Sequence, residues 1–436
     1  MPATEPSTAT AIAGSTNDSQ VDRWLDAHTE GLIAFRRNLH AHPELSGHEH
    51  ATTEFVRERL EIAGLTTRTW ASGTGLVCDL DPATPGAEPM QRLALRADLD
   101  ALAMHDRKDV AYRSQVDGVA HACGHDVHTS IVLGTALYFA HHRELVPGPL
   151  RFIFQPAEER VPGGALDVIA DGGLDGVGAV IGMHCDPKLE VGKVGLKAGA
   201  ISSAADMMTI TLSGPGGHTA RPELTVDLVT VAATIVTTLP GLVRSALSGL
   251  DASGTAADDV LVKVVFGSFH AGDAANVIPT RCELRASVRT PSLDVWETLP
   301  DVVATCLNEL IADSGAAFEL DYVHGVPPVV NDAHIIDTVH RTAERRFGDD
   351  AIRAAVQSWG GDDFAWFTRE RPGAYVRLGV HDPDGGGPML DLHAGHFDVD
   401  ERSIAIGVRL LCGAVDDYFG PAVDPADDPT VDLASE

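Results

Sequence analysis

No two of the six cysteines (Cys78, Cys123, Cys185, Cys282, Cys306, Cys412) stand in a C-x-x-C spacing. That suggests neither a zinc finger nor a disulfide framework. Basic residues are scarce, with 32 Lys and Arg against 63 Asp and Glu, for a formal net charge of -31. Such a surface repels a nucleic-acid duplex or an anionic membrane and keeps a protein soluble, so a cytoplasmic location is expected. The first twenty residues are rich in Ala, Ser and Thr, and lack the basic start and apolar run of a signal peptide. No run of about 18 apolar residues marks a membrane span, and no long repeat recurs. There remain 436 residues, 44% of them hydrophobic, enough for two or three domains.

The apolar pattern predicts a first helix over 21–40. "SGHE" at 46–49 has the form of a capping box, with Ser46 as N-cap and Glu49 at N3, opening a second helix that ends near Gly64. Apolar runs "GLVCDL", "RLALRA", "LRFIFQ" and "VGAVIGMH" then read as strands, with a helix over 127–145 and another in "GGALDVIADGG". Strands alternating with helices imply an α/β sheet covered on both faces. From 199 to 322 the order becomes β-α-β-β-α-β, the split unit of a ferredoxin-like sandwich, with helices over 224–247 and 293–312. The α/β pattern resumes near 323, with helices over 333–347 and 400–418 around the strand "GAYVRLG". The expected organisation is a disordered 1–20, a discontinuous α/β domain over 21–198 and 323–420, an inserted domain over 199–322, and a disordered acidic tail over 421–436.

The chemistry-bearing residues converge on one rim. Asp98 and Asp100 follow the strand at 92, Glu158 and Glu159 follow the strand at 150, and His184 and Cys185 close the strand at 177. "HACGHDVH" at 121–128 lies on the loop into the helix at 127. Ligands of open α/β sheets bind beyond the carboxyl ends of the strands. Each motif alone has a bland reading: an ordinary buried thiol for Cys123, a solvated helix start for "AEE", a turn for "DLDAL". Together, thiolate, imidazole and carboxylate suit Zn²⁺, or Mn²⁺, Co²⁺ or Ni²⁺ in a mixed site. Of two adjacent glutamates, one can bind metal while the other stays free as a general base. A Cys123 nucleophile with His125 or His184 as base is the weaker reading, because it leaves Glu158 and Glu159 unused. "GPGGHTARP" presents His218 on a glycine-rich turn, and "AANVIPT" places Asn276 at another; taken alone, both are ordinary polar turns.

In their order along the chain, "LHAHPELS", "LRADLDALAM", "HACGHDVHTSIVLGTA", "FQPAEE", "GMH", "SGPGGHTARP", "NVIPT", "GGDDFAWF" and "LHAGHFDVDE" resemble the metallo-amidohydrolases of the aminoacylase and carboxypeptidase superfamily. Among these, the hippurate hydrolase and auxin-amino-acid conjugate hydrolase branch is most similar, over about residues 25–420. The resemblance implies a peptidase-like α/β domain, an inserted lid domain that also forms a homodimer, and a pair of divalent metal ions. It places the metal ligands on Cys123, His125, Glu159, His184 and His393, and the general base on Glu158. It assigns His218 to an oxyanion donor that reaches the partner subunit's site, Asn276 and Arg289 to substrate contacts in the lid, and Asp98 and Asp100 to the metal surroundings. Departures from the family pattern are Ala103 in place of proline, Arg160-Val161-Pro162 in place of glycine-rich sequence, "HTARPEL", and Asp362 in place of glutamate. They bear on the pocket and its specificity, and none removes a ligand or the base. The expected activity is hydrolysis of the amide bond of N-acyl amino acids or related small conjugates. A dipeptidase or carboxypeptidase on the same scaffold is the alternative, and a non-catalytic metal- or ligand-binding module a further one.

Overall fold

The structure, a computed structural model, describes residues 16–84, 90–248, 261–385 and 389–420. Its centre is an eight-stranded mixed sheet. In spatial order the strands are Thr67–Thr69, Leu76–Leu80, Leu150–Gln155, Arg92–Asp98, Val177–Glu190, Gly373–His381, Val194–Leu196 and Ile352–Ala354. The central four run parallel, which turns their carboxyl ends toward one rim. Leu93, Leu95 and Ala97 enter one hydrophobic core, and Ala94 enters another on the opposite face. This follows from side chains that alternate across a sheet buried on both sides. The helices Thr16–Ala41, His125–His141, Ala333–Phe347 and Arg402–Phe419 contribute to the first core, while Ala165–Ala170 and Phe364–Glu370 contribute to the second. The fold is the mixed α/β sheet flanked by helices that the pattern implied.

The helix His125–His141 begins within the "HACGHDVH" segment and is buried on nearly all sides. Contact with Thr16–Ala41 and Arg402–Phe419 is close: a Cβ at Gly134 would lie 2.8 Å from Val408, and one at Gly407 would lie 2.4 Å from Ile131. At its first turn the Asp126 carboxylate takes Arg36 Nε at 2.7 Å and His40 Nδ1 at 2.7 Å. Burial opposes the charge of Asp126, yet Arg36 and His40 hold its carboxyl well below the usual range. Breaking such a buried pair costs about 3–5 kcal/mol, so this web fastens the first helix to the one bearing His125.

The second sheet is antiparallel, ordered Lys263–Ala271, Arg281–Arg289, Ala205–Ser213, Ala317–Val326. Helices Leu228–Leu247 and Leu293–Ile311 cover one face and share its separate core. Both have side-chain caps, from Asp227 to Val229 N and Thr230 N and from Ser292 to Val295 N. Leu228–Leu247 is long and apolar enough to cross a membrane by length and composition alone. Here Leu228, Ala232, Ile235, Leu239, Val243 and Leu247 form one buried stripe against the sheet, the spacing of an amphipathic helix on a core.

Several element limits differ from the sequence reading. The first helix begins at Thr16, so 16–20 is ordered; 1–15 and 421–436 lie outside the described residues, as does most of the expected start of the strand near 259. The second helix is His50–Ile62, and the capping box does not form. Ser46 Oγ instead donates to Asp100 at 2.6 Å, and the helix amides Ala51 N and Thr52 N donate to the Glu44 carboxylate. The third helix starts two residues early, at His125, and ends at His141 before a short 3-10 turn. The helix expected from 224 begins at Leu228. The strand bearing His184 continues to Glu190, because the strand Gly373–His381 pairs along it, so His184 lies mid-strand.

Candidate metal centre and catalytic pair

Four segments bring ligands together. Gly124 caps the helix at φ 91°, and a Cβ there would lie 2.7 Å from Cys185 Sγ. Only glycine fits between Cys123 and His125 without strain. Cys123 Sγ lies 3.4 Å from His184 Nε2. His125 Nε2 lies 3.9 Å from Glu159 Oε1 and 3.8 Å from Glu158 Oε2. His393 Nε2 lies 3.3 Å from Glu159 Oε1. The His393 amide donates to Ala122 O at 2.8 Å, which ties its loop to the Cys123 turn. Three overlapping groups here have donor atoms all within 4.8 Å of one another: Cys123, His125 and His184; Cys123, Glu159 and His393; and His125, Glu158 and Glu159.

The outer nitrogens and oxygens are fixed by backbone and carboxylates. His125 Nδ1 is bonded to Asp100 O at 2.9 Å, and His184 Nδ1 to Cys185 O at 2.7 Å, so both Nε2 atoms face inward. Such partners set the tautomer and the ring orientation of metal-binding histidines. His128 is fully engaged elsewhere: Nδ1 meets Asp98 at 2.7 Å and Nε2 accepts from Cys185 N at 2.9 Å. Asp98 in turn is held by Arg96, which also reaches Gln155 and Asp363, each at 2.8 Å. Burial opposes the charge on Asp98, but Arg96, His125 and His128 hold its carboxyl well below the usual range.

Two buried donor atoms in this cluster, His125 Nε2 and Glu159 Oε1, have no hydrogen-bond partner. Buried polar atoms are ordinarily paired. Burial raises the Glu158 carboxyl well above its usual range, and Asp362, Glu159 and Asp363 add to the effect. Burial pushes the Cys123 thiol up, whereas Asp98 and Cys123 overcome burial to raise His125. A region this rich in inward-facing acceptors favours a divalent cation, which binds thiolate, neutral imidazole and carboxylate. The donor set therefore fits the metal that the sequence implied.

The two glutamates divide. Glu159 belongs with Cys123 and His393, and its amide donates to Asp100 Oδ2 at 2.9 Å. Glu158 shares one group with His125 and Glu159 and another with Asp362 and Asp363, but none with Cys123 or His393. Ala157, just before the pair, has φ 58°, and so does His393. A non-glycine residue in that region costs roughly 1–3 kcal/mol and persists only where the surroundings enforce it.

Three predicted site residues lie in the second sheet's unit, apart from this cluster. His218 and Asn276 meet there: the strand Gly217–His218 pairs with Val277–Ile278, and Thr219 N donates to Asn276 O. His218 is exposed, and its Nδ1 accepts from Ala220 N at 3.0 Å, which leaves Nε2 as a donor. Arg289 ends its strand half-buried, with Nη1 3.2 Å from Trp359 O. Sequence reasoning missed Arg377. It pairs in register with His184, and its guanidinium lies 5.4 Å from the Tyr375 ring centre. No carboxylate among the described residues pairs with it. Its place opposite "GMH" arises only from the register of two strands far apart in the chain, so no local signal marked it.

With this geometry established, similarities to known proteins are informative. The profile of peptidase family M20/M25/M40 matches residues 94–417. A Rhodococcus jostii (strain RHA1) protein named as glutamate–cysteine ligase 2-3 is 41% identical over 398 residues, 91% of this chain; the match spans only 48% of that longer protein. The N-acetylcysteine deacetylase of Bacillus subtilis (strain 168) is 33% identical over 389 residues, 88% of this chain and 95% of that one. The crystal structure of Bacillus subtilis YXEP protein, described as a dinuclear metal binding peptidase from the M20 family, superposes with a TM-score of 0.77. It is 30% identical and covers 90% of this chain and 99% of that one.

Proposed function

The chain belongs to peptidase family M20/M25/M40, and on that footing we propose that it hydrolyses the amide bond of N-acyl amino acids, with Glu158 as general base and a pair of divalent ions held by Cys123, His125, Glu159, His184 and His393. The observation that carries this reading is that Glu159 shares a donor group with Cys123 and His393, whereas Glu158 approaches only His125 and Glu159 on that side and otherwise faces Asp362 and Asp363. Bound there, divalent ions would polarise the scissile carbonyl and make water more acidic. Glu158 takes the proton of the attacking water as the C–O bond forms, then delivers it to the amine nitrogen as the C–N bond breaks. Asp98 and Asp100 hold His128 and His125 in place. Mn²⁺, Zn²⁺, Co²⁺ and Ni²⁺ are all compatible with the donors.

The substrate end is assigned to the inserted unit. Arg289 suits the substrate carboxylate, Asn276 the amide, and His218 Nε2–H the developing oxyanion. Support for a homodimer comes from the edge strand Lys263–Ala271. Its outer side has no strand partner among the described residues, and Val265 and Phe269 are 60% and 42% exposed. Open apolar edges invite pairing with another chain. His218 would then act on the partner's site. Mixing His218→Ala with Glu158→Gln protein, both inactive alone, should restore part of the activity as subunits exchange. Activity no greater than the sum of the two would sink this arrangement.

The substrate class is tested by a rate panel on metal-loaded protein. N-acetyl and N-benzoyl amino acids are expected to be cleaved faster than dipeptides. Faster dipeptide cleavage would move the assignment to a peptidase, and cleavage of neither would end it.

A further inference from the structure

Glu49, read from the sequence as a helix-capping residue, is fully buried and turned away from its helix. Its Oε1 accepts two backbone amides, Gly47 N at 2.8 Å and Ala157 N at 2.8 Å. The second bond crosses from the loop after the first helix to the turn that delivers Glu158 and Glu159. That turn is forced: Ala157 has φ 58°, its carbonyl accepts Gly164 N at 2.9 Å, and a Cβ on Gly164 would lie 2.0 Å from Pro156 O. One residue beyond Glu158, Glu159 N donates to Asp100 Oδ2, which also accepts Ser46 Oγ. Two buried carboxylates therefore bracket Glu158, Glu49 on the residue before it and Asp100 on the residue after. Both are bonded to the Ser46–Gly47 turn.

We infer that Glu49 is a positioning residue for the Glu158–Glu159 pair, acting through the Ala157 amide. The inference rests on the proposed roles of those two glutamates. A left-handed alanine keeps its conformation only while its neighbours over-determine it, and a buried amide without an acceptor is costly. Without the Glu49 oxygen, both Gly47 N and Ala157 N lose their acceptor, and the turn has reason to relax. Glu158 and Glu159 would then drift together. A displacement of the order of 1 Å at a reacting group can cost about a hundredfold in rate.

The test compares Glu49→Gln, Glu49→Ala and Glu49→Asp in the full-length protein. Glutamine keeps a carbonyl oxygen for both amides, so kcat and metal affinity near wild type are expected. Alanine removes the acceptor, and aspartate withdraws it by one methylene. Both are expected to lower kcat, by about a hundredfold for alanine, with KM nearly unchanged, and to weaken metal binding measured by competition with a chromophoric chelator. Circular dichroism identifies folded variants, and the aspartate variant carries the comparison if the alanine variant does not fold. A folded alanine or aspartate variant with wild-type kcat and metal affinity would overturn the inference. So would a glutamine variant as impaired as alanine, because the charge and not the acceptor would then matter. If no acyl-amino acid is cleaved by wild type, the proposed function fails on its own, and metal affinity still decides the role of Glu49.

Discussion

Replacing Glu158 with glutamine is expected to reduce kcat by about 10²- to 10⁴-fold, the range for losing a positioned general base, while metal content stays at the wild-type level. Glutamine preserves the size and hydrogen-bonding reach of the side chain but cannot accept a proton. The neighbouring substitution Glu159→Gln should behave differently. Glu159 is grouped with Cys123 and His393, its Oε1 is buried without a hydrogen-bond partner, and its amide is anchored on Asp100. Its loss should release metal, and activity should return in part at high metal concentration. Metal analysis beside steady-state kinetics on both variants separates the roles. Near-normal turnover by Glu158→Gln would remove it as the base, and metal loss from that variant alone would exchange the two assignments.

Stripping the protein with a chelator is expected to bring amide hydrolysis to background and lower thermal stability in the same titration, with both restored by a divalent ion. The cluster draws sulfur, nitrogen and oxygen donors from four separated segments: the Cys123 turn, the Glu159 turn, the strand of His184 and the exposed His393 loop. A ligand that binds only the folded state stabilises it by RT ln(1 + [L]/Kd), about 2.7 kcal/mol at a free concentration of about 100 Kd. Activity assays and thermal unfolding, read against free metal, follow the two effects together. A Cys123 nucleophile would predict the reverse pattern, with full activity in chelator and loss on alkylation. Chelator-resistant hydrolysis would therefore overturn the metal reading.

The fold was legible where local pattern and packing agree. The run Leu93, Leu95, Ala97 alternates onto one core because the strand is buried on both faces. The stripe in Leu228–Leu247 follows helical spacing because one side meets a sheet. Ser46 and Glu49 show the opposite case. Their spacing satisfies a capping box, yet Ser46 bonds Asp100 and Glu49 bonds Ala157, 108 residues away. Local spacing cannot register a competing partner that distant. Arg377 was missed for the same reason: its place beside His184 exists only through strand register.

The amino-acid sequence by itself determined the α/β class, the split unit in the middle of the chain, and the presence of thiolate, imidazole and carboxylate near strand ends, because these depend on periodicity and residue chemistry over short spans. Only the tertiary structure decided which atoms face one another. It placed both Glu158 and Glu159 near His125, with Glu158 also near Asp362 and Asp363 and Glu159 near His393, kept His218 out of the candidate cluster, and bonded Glu49 to the Ala157 amide instead of capping its helix. Those outcomes depend on how helices and strands far apart in the chain meet at one rim. There, burial makes each unpaired polar atom costly enough to choose its partner.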